Sequence, residues 1–210
     1  MKYKVKEIYY TLQGEGAQSG RPAVFCRFTG CNLWTGREKD REKAICQFCD
    51  TDFRGMDGEN GGSYTAEELV LKCISLWPVN SVEQPYIVCT GGEPALQLNK
   101  KLIDCFHKYN CVLAIETNGT VELPVNIDWV CVSPKMGSEL IVTSGHEMKL
   151  VYPQTGSDPE VFANMDFEYF YLQPMESSSL KENIQASIEY CKQHPKWRLS
   201  LQTHKILEIP

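Results

Sequence analysis

The sequence predicts an α/β fold on a mainly parallel sheet that curls into an open or partial barrel. Short apolar runs recur along the chain: AVFCRF (23–28), YIVC (86–89), CVLAI (111–115), DWVCV (128–132), HEMKLV (146–151), YFYL (169–172) and RLSL (198–201). Helical patterns separate several of them, and strands alternating with helices imply parallel βα units. The later connections are too short to hold a helix each time, which favours an incomplete barrel over a closed one.

Taken in order, MKYKVKEIYY supplies a first strand, and Leu12-Gln13-Gly14-Glu15-Gly16 follows it as a polar loop. AVFCRF is the next strand. Trp34 to Lys43 is densely charged and helical in character but has no apolar stripe, which places it exposed on the surface. Arg54 to Ser63, RGMDGENGGS, reads as a loop from its Gly, Asn and Asp content. Thr65 opens TAEELVLKCISLW with Glu68 three residues on, a capping-box signature. Ala95 to Tyr109 and Ser179 to His194 repeat apolar residues at three- and four-residue intervals and are expected to be helices.

The 210 residues favour one domain, 1–210, with an inserted loop at about 32–45, and 42% apolar content suffices for a substantial core. A net charge of −6 gives no positive field to hold a nucleic-acid backbone. The N-terminus lacks a signal-peptide apolar region, and no run approaches the ~20 residues that cross a bilayer. The expectation is a soluble cytoplasmic protein without nucleic-acid or membrane partners. Most of its ten cysteines are then reduced thiols rather than a disulfide framework. Cys73, Cys89, Cys105, Cys111, Cys131 and Cys191 sit in apolar-patterned segments, where cysteine is a small buried hydrophobe.

Cys31, Cys46 and Cys49 stand apart, spaced C-x14-C-x2-C. Thiolates are the usual ligands of iron–sulfur clusters. Three rather than four suit a [4Fe–4S] cluster with one iron open to an outside ligand. The same half-motif serves four-cysteine zinc sites, and Cys26 keeps C-x4-C-x14-C-x2-C open as one. Cys26 alternates with Phe25 and Arg27 along a strand, which turns it toward the core.

Each strand is followed by polar residues: Thr90-Gly91-Gly92-Glu93-Pro94, Glu116-Thr117-Asn118-Gly119, Ser133-Pro134-Lys135, Gln173-Pro174-Met175-Glu176, and Gln202-Thr203-His204-Lys205. In parallel barrels the C-terminal strand ends face one mouth, where active sites assemble. These clusters should therefore converge on one pocket beside the three cysteines.

With these residues in view, the cluster cysteines and TGGEP resemble the radical S-adenosylmethionine superfamily, whose usual motif is C-x3-C-x2-C. This chain departs from it by the long insertion. That insertion, with TLQGEG (11–16), FCRFTGCNLW (25–34), CDTDF (49–53), CTGGEP, ETNG, SPK and the terminal LQTHK…IP, closely resembles the 7-carboxy-7-deazaguanine synthase family over almost the whole chain. The resemblance implies a modified, incomplete (β/α) barrel of the radical S-adenosylmethionine type that forms a homodimer. It also implies conversion of 6-carboxy-5,6,7,8-tetrahydropterin into 7-carboxy-7-deazaguanine, an intermediate on the way to queuosine. The cofactors implied are a [4Fe–4S] cluster, S-adenosylmethionine and Mg²⁺, with a flavodoxin- or ferredoxin-type electron donor. A radical formed from the cofactor opens a ring contraction that ends with loss of ammonia.

Residue by residue, the resemblance assigns Cys31, Cys46 and Cys49 to the cluster and Thr51 to Mg²⁺; the neighbouring Asp50 and Asp52 are candidates to support that metal from behind by residue type. Phe48, Cys49 and Asp50, Gly92, Ser133, Pro134 and Lys135, and Gln173, Pro174, Met175 and Glu176 fall to S-adenosylmethionine. Leu12, Gln13, Gly14, Arg27, Thr90 and the α-carboxylate of Pro210 fall to substrate, and Glu15, Glu116 and His204 are further candidates. Gln13 donates and accepts at once, which suits an amide-like pterin edge, and a guanidinium matches a carboxylate bidentately.

Each assignment has an ordinary counterpart. GGEP alone could be a tight turn, SPK a turn with a solvated lysine, Arg27 a surface ion pair, and Glu116 the partner of a strand-end cation. Thr51 could cap a loop, and the last four residues could be a frayed tail. His107, His146 and His194 are expected in helix or loop contexts without catalytic partners. Two other functions stay open: a glycyl-radical activase of the same superfamily, and a zinc-binding interaction module.

Overall fold

The computed structural model describes residues 1–210. Its nine strands form one open sheet. They are β1 (Tyr3–Leu12), β2 (Pro22–Phe28), β3 (Gly62–Tyr64), β4 (Tyr86–Gly91), β5 (Val112–Thr117), β6 (Trp129–Val132), β7 (Ser144–Tyr152), β8 (Asp166–Pro174) and β9 (Trp197–Leu199). The order across the sheet is β3-β1-β2-β4-β5-β6-β7-β8-β9. Neighbours from β2 to β9 are parallel, whereas β1 is antiparallel to both β2 and β3. The sheet is therefore mainly parallel and unclosed, as the run of short late connections predicts.

The helices are α1 (Ala66–Ser75), α2 (Lys100–Lys108), α3 (Leu180–Gln193) and α4 (Thr203–Leu207). The expected capping box opens α1. Thr65 Oγ1 accepts from Glu68 N at 3.3 Å, and Glu68 Oε2 accepts from Thr65 N at 2.7 Å. Three expectations need correction. The helix read from Ala95 begins only at Lys100, because Pro94–Leu96 forms a single 3₁₀ turn and Asn99 caps the true start by accepting from Leu102 N at 3.2 Å. Gly62 and Ser63, read as loop, belong to β3, held only by tertiary pairing to β1. His146 lies in β7 rather than in a helix or loop. Its Nδ1 accepts from Val130 N at 2.9 Å and its ring stacks on Trp129.

Alternation along the strands divides the molecule. Val24, Cys26 and Phe28 of β2, Ile87 and Cys89 of β4, and Leu113 and Ile115 of β5 face α1 and α2 in a twenty-residue core. Val132, Met148, Leu150, Phe170 and Leu172 form a second, eight-residue core with Phe162, Phe167 and Trp197. Val130 packs against both. The opposite residues of the same strands, including Phe25, Arg27, Thr90, Glu116 and Lys149, look into the concave side of the sheet. Cys26 is 0% exposed and sits in the first core, as its strand position predicts. All ten cysteines are free thiols. No helix is long and apolar enough to cross a membrane.

Candidate active site

The concave side holds a cavity of about 450 Å³. Its wall collects residues far apart in sequence, because parallel strands deliver their C-terminal ends to the same side. Leu12, Gln13, Gly14, Glu15, Arg27, Thr90, Glu116, His204 and Pro210 all line it. So do Cys31, Cys46, Phe48, Cys49, Asp50, Thr51, Gly92, Ser133, Lys135, Gln173, Pro174 and Glu176. Two expected residues do not. Pro134 is buried behind the wall, and Met175 is tied by its backbone, donating from N to Tyr152 O and accepting from Asn183 Nδ2 at 2.8 Å each.

The cysteine end of the cavity is built by the insertion. Its middle, Glu38–Lys43, is a 3₁₀ segment without buried residues, as its charge predicts. Its two ends are anchored: Ile45 N donates to Leu33 O at 3.1 Å, and Leu33, Trp34 and Cys46 are buried. Arg41 lies over the Trp34 ring at 4.1 Å and donates from Nη1 to Gln47 O at 2.8 Å and Cys49 O at 3.1 Å. It thereby shapes the turn that carries Cys46 and Cys49. The sequence shows Arg41 only as one charge in a charged run, so nothing marks it out.

The donor chemistry fits an iron–sulfur group. Three sulfurs share one cavity wall, and Cys31 Sγ accepts from Leu33 N at 3.4 Å. The neighbouring Cys46 thiol outweighs burial and, aided by the backbone at Thr51, takes the Cys49 thiol down to about 6, while Cys49 and burial drive Cys46 up. The half-buried Lys135 lies close enough to favour thiolates electrostatically, although desolvation pushes its own ammonium down. No three His, Cys, Asp or Glu side chains converge tightly enough to enclose a single ion. Beside Cys31, Gly92 lets the end of β4 pack tightly against the Gly30–Cys31 backbone. A Cβ there would overlap the Gly30 carbonyl and stand 2.9 Å from Cys31 Cβ. In the next residue, Glu93 turns inward and is 0% exposed. Its carboxylate accepts from Ala95 N at 2.9 Å and from Thr117 Oγ1 and Asn118 N at 2.7 Å each. Glu93 thus joins the ends of β4 and β5, a structural use of the motif that the sequence does not reveal.

The aspartates flanking Thr51 are both paired. Asp50 accepts from Lys205 at 2.7 Å, and Asp52 meets Lys6 at 2.8 Å. Lys205 also reaches Glu176 at 3.2 Å, so α4 is tied to the cysteine loop and to the end of β8. Gly14 seats α4: its carbonyl accepts from Thr203 N and Thr203 Oγ1 at 2.9 Å each, and a Cβ there would overlap the His204 ring. Ile209 N donates to His204 O at 3.1 Å, which returns Pro210 to the cavity.

At the other end, Arg27 donates from Nε to Glu7 Oε1 at 2.7 Å and from Nη2 to Tyr9 Oη at 2.9 Å. The ion pair named as its ordinary counterpart therefore exists, but inside the cavity rather than on the surface. Glu116 likewise has its cation, Lys149, at 3.1 Å, and its other oxygen accepts from Gln13 Nε2 at 2.8 Å. Gln13 Oε1 accepts from Glu15 N at 3.1 Å, so one Nε2 hydrogen of this amide is left for a ligand. Burial alone would raise the Glu15 carboxyl. The charge and hydrogen bond of Lys149, with a bond from Gln202, outweigh burial and hold it at about 2.

No family model matches the chain. It is 56% identical over 211 residues to the 7-carboxy-7-deazaguanine synthase of Burkholderia multivorans, covering 100% of both chains. The chain belongs to the 7-carboxy-7-deazaguanine synthase family. It is also 54% identical over 211 residues to the synthase of Caulobacter vibrioides and 41% identical over 209 residues to that of Bacteroides thetaiotaomicron, covering 100% of each chain. Among solved structures it is similar to the crystal structure of QueE from Escherichia coli, with a TM-score of 0.71 and 26% identity over 96% of this chain and 94% of that one. The open nine-stranded sheet is the incomplete barrel expected of a 7-carboxy-7-deazaguanine synthase.

Proposed function

We propose that this chain converts 6-carboxy-5,6,7,8-tetrahydropterin into 7-carboxy-7-deazaguanine by a radical ring contraction with loss of ammonia. Membership of the family supports the product. The observation that carries the mechanism is one cavity lined by three cysteines at one end and by Arg27, Gln13 and Glu116 at the other.

In this reading Cys31, Cys46 and Cys49 hold a [4Fe–4S] cluster, which spans more space than a single ion and so does not require the three thiols to converge on one point. Gly92, Ser133, Lys135, Gln173, Pro174 and Glu176 embrace S-adenosylmethionine, with Phe48 and Asp50 on its adenosine side. When bound and reduced, these two groups would supply radical chemistry for hydrogen removal from the substrate. The protein's task is orientation and exclusion of water. Arg27 keeps donors free beyond its bonds to Glu7 and Tyr9 and offers them to the pterin carboxylate. The free Nε2 hydrogen of Gln13 serves the pterin's polar edge, Thr90 lies beside Arg27 in strand register, and Leu12 and Gly14 close the side wall. Thr51 gives Mg²⁺ an oxygen ligand while the substrate carboxylate supplies charge, since Mg²⁺ prefers oxygen and retains waters. Pro134 and Met175 act as spacers that present their neighbours.

A cytoplasmic homodimer reduced by a flavodoxin- or ferredoxin-type donor completes the proposal. Anaerobic turnover with the carboxypterin, S-adenosylmethionine, Mg²⁺ and a reductant tests it directly. The expected protein is brown, carries about four irons per chain, and yields the deazapurine. A colourless protein with one zinc and no product would overturn the proposal.

A further inference from the structure

The floor of the cavity is a single polar network centred on one ammonium. Lys149, on the concave face of β7, is 4% exposed. Its Nζ donates to Glu15 Oε2 at 2.6 Å and to Glu116 Oε2 at 3.1 Å. The second oxygen of each carboxylate is also used. Glu116 Oε1 takes Gln13 Nε2 at 2.8 Å, and Glu15 Oε1 takes Gln202 Nε2 at 2.9 Å and Gln173 Nε2 at 3.1 Å. A buried ammonium is costly unless it is paired, and here two of its three donors meet carboxylates from two different walls.

We propose that Lys149 is a positioning residue for the pterin side of the site. By bridging Glu15 and Glu116 it fixes Glu116, and through Glu116 the amide of Gln13, in the orientation that the substrate meets. The inference rests on the function proposed above and assigns a role to a residue that neither the motifs nor the strand-end clusters mark.

The geometry leaves little freedom. With Glu116 Oε1 facing Gln13 Nε2 and Glu15 N facing Gln13 Oε1, the Gln13 amide cannot flip without losing both bonds. Its remaining Nε2 hydrogen therefore has one direction. Glu116 keeps its own orientation because Lys149 holds the opposite oxygen. Without the ammonium, two buried carboxylates would share the floor with no counter-charge between them. Such a pair relaxes by taking up a proton or by swinging apart, and either change releases Gln13. The other titratable groups nearby are Glu147 on the same face of β7, Cys131 on β6 and His204 on α4. Glu147 binds Ala17 N at 3.0 Å and Cys131 is a buried thiol; charge on His204 favours the Glu15 anion, but its ring makes no hydrogen bond to either carboxylate and so does not bridge them.

The test compares the wild-type chain with Lys149→Met, Lys149→Arg and Lys149→Met/Glu116→Gln, all loaded with iron. Iron content should match wild type in Lys149→Met, and S-adenosylmethionine affinity should fall less than carboxypterin affinity, since Glu15 also holds Gln173. The KM for carboxypterin should rise roughly 3- to 10-fold, as expected for loss of a neutral hydrogen bond from the Gln13 amide. The acid limb of kcat/KM should move up by at least about one pH unit, because a buried carboxyl without its cation is harder to ionise. Lys149→Arg should recover part of the KM. An unchanged KM and pH profile in Lys149→Met would overturn the inference while leaving the proposed function intact. Wild-type protein that turns over no carboxypterin would instead overturn the proposed function. Thermal melting then still decides the bridge: Lys149→Met should melt lower, and adding Glu116→Gln should restore part of the loss by removing one stranded charge. A double variant no more stable than the single one would refute the bridge.

Discussion

Arg27 and Glu7 face each other across the antiparallel β1–β2 pair and meet at 2.7 Å inside the cavity, both side chains largely buried. Glu7 orients the guanidinium but uses only its Nε–H, and Tyr9 takes one hydrogen of Nη2. Arg27→Lys should therefore keep an ion pair and lose the planar fork. We expect kcat/KM for the carboxypterin to fall by roughly 10- to 100-fold, equivalent to ~1.5–3 kcal/mol for a charge-assisted bond. A pterin lacking the 6-carboxylate should not distinguish the two proteins, and steady-state kinetics with both compounds would check this.

Cys31→Ala, Cys46→Ala and Cys49→Ala should each lose the cluster and all turnover, whereas Cys26→Ala should keep both. The buried position of Cys26 in the core behind β2 motivates the contrast. Iron counting and the visible spectrum of the four proteins measure it. Loss of colour in Cys26→Ala would contradict the three-cysteine assignment. A modest fall in stability of that variant is expected separately, from the small hole left in the core.

Thr51→Ala should abolish Mg²⁺ stimulation of turnover and leave S-adenosylmethionine binding unchanged. Asp50 and Asp52 are poorly placed to compensate, since Lys205 and Lys6 already hold them. Turnover measured against Mg²⁺ concentration is the check. An identical Mg²⁺ dependence in the variant would remove Thr51 from the metal.

Acid should loosen the cavity floor in a defined window. The Glu15 carboxyl is held at about 2, below its ordinary 4.5. Its folded pKa lies below the unfolded one, so its contribution to stability is complete above about pH 4.5 and is lost as pH falls toward 2. Burial shifts Glu93 and Glu147 the opposite way, and protonating them does not add to this loss. Wild-type melting temperature should accordingly drop more steeply below pH 4.5 than that of Glu15→Gln. Parallel slopes for the two proteins would refute the assignment.

What could be read from the sequence follows from periodicity. Alternation in AVFCRF put Cys26 in the core and Arg27 on the concave face, and polar residues after each strand marked the cavity wall. What stayed hidden depends on contacts between distant segments. HEMKLV reads as an apolar run, yet Glu147 and Lys149 sit two residues apart on the face that looks into the cavity. Arg41 looks like surface charge until Trp34 and the carbonyls of Gln47 and Cys49 are folded beneath it. Glu93 is embedded in a motif whose glycines attract attention, while its own carboxylate fastens two strands. β3 has three residues and no pattern of its own, so only its pairing with β1 defines it. The late start of α2 is set by Asn99, whose cap competes with an apolar pattern that continues upstream.

The sheet ends at β3 on one side and β9 on the other, and nothing in its strand order joins them. One wall of the cavity leans on the first core and the other on the second, with Val130 as the shared support. In a closed barrel a ladder of hydrogen bonds would hold such walls at a fixed spacing. Here that task falls to contacts across the gap: Lys149 to Glu15, Thr203 to the Gly14 carbonyl, and Lys205 to Asp50. In the function proposed above, cofactor and substrate would enter as keystones as well as reactants, and tight ligands should stiffen the whole arch as well as occupy it.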